Sequence, residues 1–538
     1  MQVVKKWLAE QTNRQLFFLL IAGLLLRIAI AIWLPPGFDE SYYYVYTQHL
    51  EWSYFDHPPL VALTTGFGPW LTGEVSQFTI RLGTIILYTG SLVLLYLTSA
   101  SLFSTQAAIL TLAFATFIPF FPVAFGTFTL PDSPLIFFWS ATLYCAAHEF
   151  FHHPGLYRPS YRLAIISVLV GLACLGKYHG FVLGFGLIGF CLTSRYRSAL
   201  MSPWAWLGLG LFLVTLSPVL LWNWQHQWIS FRFQLMRSVP ATGYNLLGLL
   251  ATFLIEIGCL FPTFGLPLWW VSLRTANKQI TQPLSHKSLF NGKDFRQKQL
   301  LILWISLPLI LGFTLMGGYR QVFPSWPMPG FWGATLLLGQ QAALWQQQFP
   351  RLVRRWLWGS GIAVTTILLL ALLHVATGTL QSKSQYALFG GFWPASADPS
   401  TQLIDIQQLR QGFAKSPILM AALQDSSFVS TKTYYLSGQV AMALAPLSDK
   451  PVTCFDVDLR GFAFWSRADE WLGKDALFVT SEYFEQNRLD PVVRYGSYFD
   501  TMEKIGDIPI RRGGAVVQVF NVYRAKTMLK PYPRPYGI

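Results

Sequence analysis

Hydrophobic positions dominate the first 380 residues and fall into long runs broken by short polar segments. A membrane-crossing helix needs about 20 mostly apolar residues. On that measure helices are expected near 16–34, 82–103, 106–126, 133–150, 162–176, 180–193, 204–222, 244–272, 299–316, 327–345 and 356–378. That makes eleven, within a range of ten to thirteen, because the runs 162–176 and 180–193 are short for two full crossings. The N-terminal run follows Lys5, Lys6 and Arg14 and lacks a small-residue cleavage site, so it reads as a retained first span.

After about residue 379 the pattern changes. Strand-like runs appear at Val452–Val457, Ala476–Val479 and Ala515–Val522, and helical spacing at about 403–413 and 433–445. This segment carries 17 of the 39 basic and 15 of the 25 acidic residues. The expectation is a transmembrane unit over 1–378 and a small α/β domain over 379–538.

Charge refines this picture. Only 12% of residues are charged, about half the share of a soluble domain. The net charge of +14 does not indicate nucleic acid, because the basic residues sit in clusters between apolar runs. Placing the N-terminus in the cytoplasm gives cytoplasmic loops 16 Lys and Arg. The opposite loops hold five: Arg81, Lys177, Arg232, Arg237 and Arg320. That asymmetry predicts the orientation and puts the 35–81 loop and the C-terminal domain outside. The five cysteines show no pairing pattern and no Cys-x-x-Cys.

The titratable groups of the outer loops are then the candidates for chemistry. Residues 37–60 hold Asp39-Glu40, a run of four tyrosines (Tyr42, Tyr43, Tyr44 and Tyr46) and Asp56-His57-Pro58-Pro59. On the same side lie Asp132, Lys177-Tyr178, His226, Arg320 and Trp326. A carboxylate near a hydroxyl can act as a base, and fixed cations suit a phosphate leaving group. The bland alternatives are an N-cap role for Asp39 or Asp132, a snorkelling Lys177, a satisfied loop His226 and an interfacial Trp326. Two charges, Arg27 and Glu256, fall inside apolar runs and need partners, either each other or polar groups of a cavity.

The Asp-Glu pair, the tyrosine run, Asp56-His57-Pro58-Pro59-Leu60, Leu-Pro-Asp132-Ser-Pro, Leu-Gly-Lys177-Tyr178, Trp222-Asn-Trp-Gln-His226 and Ser325-Trp326-Pro327 together resemble the protein O-mannosyltransferase superfamily. That superfamily also contains the aminoarabinose transferases of lipid A. The resemblance covers about residues 1–350. The outer domain is similar only through a Tyr-Tyr-Leu-Ser-Gly-Gln helix and the segment Arg460–Trp465. It implies a C-type glycosyltransferase fold and a polyprenyl-phosphate sugar donor. It also implies transfer to a lipid, glycan or protein hydroxyl with inversion, in a bacterial inner membrane. It gives Asp39 the role of base with Glu40 in support, and the donor phosphate to Lys177 and Arg320. Tyr178, His226 and Trp326 are further substrate contacts; His57 frames the loop, and Asp132 orients the acceptor or holds the loop. No spacing demands a metal, although acidic residues and His226 are available to a divalent cation.

Two other classes compete. His148-Glu149-Phe-Phe-His152 fits His-Glu-x-x-His, the zinc-protease pattern, but stands at the end of a span with no third ligand in view. A lipid-linked substrate transporter calls for polar groups at mid-membrane and repeated halves, and neither is apparent.

Overall fold

The computed structural model describes residues 10–152, 156–237, 239, 243–281, 292–481 and 490–537. Lys5, Lys6 and Lys287, used in the charge comparison, lie outside these residues. The protein is an integral membrane protein: a helical bundle followed by a small domain built on a sheet. Every apolar run forms helix. Among the described residues, five helices are long and apolar enough to cross a membrane: Gln11–Trp33, Thr79–Leu102, Pro203–Gln225, Asp294–Met316 and Pro350–Thr377.

Two expected spans are interrupted, each at a proline. The run 244–272 is two helices, Leu246–Leu260 and Pro262–Thr281, bent by 116°. Pro262 has no N–H to continue the ladder and disfavours helical geometry in the residue before it; Phe261 accordingly sits at φ +67°. The run 106–126 stops as a helix at Phe117, just before Ile118-Pro119, and continues as a single π turn, Phe121–Phe125.

Arg27 and Glu256 do not pair. Arg27 donates to the Gly23 and Ile85 carbonyls and to Thr89 Oγ1, and lies over the Tyr88 ring. Glu256 accepts from Thr314 Oγ1 at 2.9 Å.

The 35–81 loop contains two helices, Phe38–Tyr46 and Leu60–Thr72. The first starts at Gly37, whose N–H donates to Glu40 Oε2 at 2.9 Å. Two acids in the opening turn suit the positive helix terminus.

In the outer domain, β1 (Phe428–Thr431), β2 (Val452–Cys454), β3 (Ala476–Ser481), β4 (Phe499–Arg512) and β5 (Ala515–Met528) form one sheet ordered β2-β1-β3-β5-β4. β1 runs parallel to β2 and β3; β5 is antiparallel to β3 and β4. β1 and β4 were not expected from the sequence. The helix Tyr434–Leu444 covers the sheet and presses on the helix Phe38–Tyr46. A Cβ added at Gly438 would stand 2.6 Å from the Tyr42 backbone nitrogen, so only glycine allows this approach. Ala441, Cys454, Leu459 and Phe462 share a buried cluster with Tyr42, Tyr43 and Tyr46. The C-terminal domain is thus a wall of the loop that carries Asp39.

Candidate active site

The two adjacent acids of the loop have opposite environments. Glu40 is buried with both oxygens occupied. Arg81 donates to it through Nε at 2.8 Å and through a terminal nitrogen at 2.6 Å, and Thr129 N and Gly37 N complete the set. Arg81 also donates to the Ala31, Leu34 and Pro35 carbonyls. Glu40 therefore ties the start of the tyrosine helix to the end of the first span.

Asp39 points the other way. It is exposed and accepts no hydrogen bond from any described residue. Protein nevertheless surrounds it. That enclosure raises its pKa above the usual carboxylate range; Arg460 and Arg237 oppose the shift, while Asp56 and Glu40 add to it. A water-accessible, unengaged carboxylate with a raised pKa is suited to accept a proton.

Beside it lies a fully buried anchor. Asp56 pairs with Arg460 at 2.9 Å and accepts from the hydroxyls of Tyr42 and Tyr46. Burial would raise the Asp56 carboxyl, but Arg460, His57 and Tyr46 together hold it below the ordinary range. Arg460 comes from the outer domain. It stacks over Tyr434 at 4.5 Å and sits at φ +50°, where a residue with a Cβ is uncommon. The next backbone N–H, of Gly461, donates to Tyr42 Oη at 2.8 Å.

A cavity of about 210 Å³ opens at this place, lined by His57, Lys177, Tyr178, Gln234, Arg237 and Trp326 among others. Lys177 Nζ is 2.9 Å from both oxygens of Asp132, and both side chains are buried. His57 is driven down to about 3, first by burial and then by the nearby cations Lys177, Arg460 and Arg237. It stays neutral, so the positive charge belongs to the lysine and arginines. Arg237 lies over Trp326 at 5.6 Å and within electrostatic reach of Arg320. Arg320 donates to the Met236 and Val239 carbonyls, while its Nε is buried without a partner among the described residues. Two cations, Lys177 and Arg237, line this small cavity, with Arg320 and the Asp39 carboxylate in electrostatic reach of Arg237, a setting that suits a phosphorylated ligand.

The family model for dolichyl-phosphate-mannose-protein mannosyltransferase matches residues 56–222. A lipid A galacturonosyltransferase, RgtD of Rhizobium johnstonii, is 26% identical over 332 residues, which are 60% of this chain and 64% of that protein. The chain therefore aligns with less than two thirds of that relative's length. The crystal structure of apo ArnT from Cupriavidus metallidurans has the same fold, with a TM-score of 0.60 at 14% identity over 95% of this chain and 98% of the other. The chain is thus similar in sequence to a protein mannosyltransferase family model and a lipid A glycosyltransferase, and shares the fold of ArnT.

Of the predicted site residues, His57, Lys177, Tyr178 and Trp326 meet at one cavity; Asp132 pairs with Lys177, and Asp39 and Arg320 are in electrostatic reach of the lining residue Arg237. Tyr178 is held by a 2.8 Å bond to Ser230 Oγ. His226 lies elsewhere: it stacks on Trp222 at 4.0 Å, and Trp222 donates to Glu51 at 2.5 Å. No cluster of three or more potential metal ligands occurs among the described residues. The His148 and His152 rings do approach, at 4.6 Å. Glu149 is turned from the role a zinc protease needs, with its oxygens taken by Tyr157 Oη, Ser160 N and Ser160 Oγ. His153, Pro154 and Gly155, which follow the motif, lie outside the described residues.

Sequence reasoning passed over Asp56, Arg237 and Arg460 as site residues. Arg237 was visible as one of five basic residues in the outer loops. Arg460 stood in the segment Arg460–Trp465 that carries part of the resemblance, but its pairing with Asp56 was not legible, because 404 positions separate the two.

Proposed function

We propose that the protein is a glycosyltransferase that moves a sugar from a polyprenyl-phosphate donor to a hydroxyl acceptor on the outer face of a bacterial inner membrane. In this orientation the N-terminus is cytoplasmic and the outer domain is extracytoplasmic. The name of the relative RgtD puts a lipid first among acceptors, ahead of a glycan or a protein. The observation that carries the reading is Asp39: an accessible carboxylate with no hydrogen-bond donor among the described residues, in electrostatic reach of Arg237, which with Lys177 walls the cavity.

The chemistry follows from that arrangement. Asp39 takes the proton of the acceptor hydroxyl as its oxygen attacks the anomeric carbon. The bond from that carbon to the phosphate oxygen breaks, and the electron pair leaves with the polyprenyl phosphate. Lys177, Arg237 and Arg320 stabilise the charge that builds there. A phosphate leaves without protonation, so the second carboxyl that glycosidases use is not required. A single displacement inverts the anomeric centre. Glu40 supports the reaction by holding the helix that presents Asp39, and Asp132 by holding Lys177.

The test is Asp39→Asn in proteoliposomes supplied with a radiolabelled polyprenyl-phosphate sugar and a lipid acceptor. Loss of a general base lowers the rate by about 10²–10⁴, with the chromatographic profile of the protein unchanged. Full activity in this variant overturns the assignment.

A further inference from the structure

A second, larger cavity lies between the helices Arg162–Gly176, Gly180–Thr193 and Pro203–Gln225. Its volume is about 500 Å³, within the range of about 300–1,000 Å³ common for small-molecule sites. It shares no lining residue with the cavity at Lys177. Its walls are almost wholly apolar, with Val170, Leu187 and Phe212 inside. Gly184 keeps it open, since a Cβ there would meet Val170 at 3.2 Å. Phe185 and Trp206 line the cavity and are 68% and 63% exposed. The opening therefore faces sideways, toward hydrocarbon, where a chain rather than water fills it.

The two ends of these helices differ in charge. Lys177 and Gly180 mark the end at the candidate active site. At the opposite end, Arg162 adjoins the lining residue Leu163, and Arg197 opens the single turn whose Ala199 also lines the cavity. Arg158, just before, is exposed. The acids close by are engaged: Glu149 by Tyr157 and Ser160, and Asp294 by Arg195 at 2.5 Å. Tyr161 and Trp204, with rings 6.4 Å apart, stand at this end as aromatic residues do at a membrane interface. An apolar slot with a basic rim between membrane helices matches an anionic lipid.

We infer that this cavity binds an anionic phospholipid in the leaflet opposite the candidate active site, its acyl chain in the slot and its headgroup at Arg158 and Arg197. The test uses the full chain in neutral detergent and native mass spectrometry with phosphatidylglycerol or phosphatidylcholine of the same chain length. The wild type retains phosphatidylglycerol more tightly. R158Q/R197Q brings its retention down on the order of tenfold, as expected for two basic residues at an anionic headgroup. Gly184→Leu reduces binding of both lipids. Equal retention of the two lipids by the wild type overturns the inference, as does an unchanged preference in R158Q/R197Q, whose surface position leaves folding intact. Displacement of phosphatidylglycerol by a short polyprenyl phosphate also overturns it, because the slot would then belong to the isoprenoid chain.

Discussion

Replacing Arg460 with methionine keeps most of its volume and removes the charge that Asp56 faces. Asp56 is 1% exposed and pairs with Arg460 at 2.9 Å. Removing one partner of a buried ion pair costs about 3–5 kcal/mol, because the remaining charge is left without compensation. The sign of the pH dependence follows from the depressed folded-state pKa of Asp56. Its stabilisation is complete above the unfolded carboxyl value of about 3.9 and is lost as pH falls through the lower folded value. The full effect is therefore present at neutral pH. The readout is hydrogen exchange of the helix Tyr434–Leu444 where it meets Phe38–Tyr46. An opening free energy lower by that amount speeds exchange there by roughly a hundred- to several-thousandfold, at 1.4 kcal/mol per factor of ten. Asp56→Asn in the same background recovers much of the protection, since the isolated charge is gone. Protection unchanged within a factor of ten in R460M refutes the reasoning.

Four further outcomes are expected. Asp39→Asn melts at the same temperature as the wild type or higher: the raised pKa means that ionising Asp39 opposes folding above its unfolded pKa. A clear drop in melting temperature contradicts this. The acidic limb of the kcat/KM profile has its inflection above the ordinary Asp value of about 3.9, and an inflection at or below it counts against Asp39 as base. Lys177→Ala raises the KM for the polyprenyl-phosphate donor more than that for the acceptor; equal shifts remove Lys177 from the phosphate. Glu149→Gln leaves transfer nearly unchanged, whereas loss of activity returns the His148–His152 motif to consideration.

The apolar runs were legible because hydrocarbon tolerates little else, and each became helix. What the runs did not disclose was where helices break. Pro119 and Pro262 sit in stretches as greasy as their neighbours, so a rule based on length ran through them. β1 was missed because four residues buried on every side show no alternation, and β4 because its polar outer face masks the strand. At the site, Asp39, Lys177 and Trp326 stood out as polar or aromatic residues beside greasy segments. The separate duties of Asp39 and Glu40 were not legible, since neighbouring acids on a helix differ only in what meets them. Arg81 meets one, and an open cleft meets the other.

The pairing of Asp56 with Arg460 also has a meaning in time. The tyrosine helix is made early, and its charged neighbour is added only after the bundle, β1 and β2. Until residues 428–465 have emerged and packed, Asp56 lacks its Arg460 partner and the tyrosines face no wall. The candidate site is thus walled only after the whole helical bundle has been made. A chain stalled during insertion carries Asp39, Lys177 and Arg237, yet lacks the wall that Arg460 and Phe462 supply.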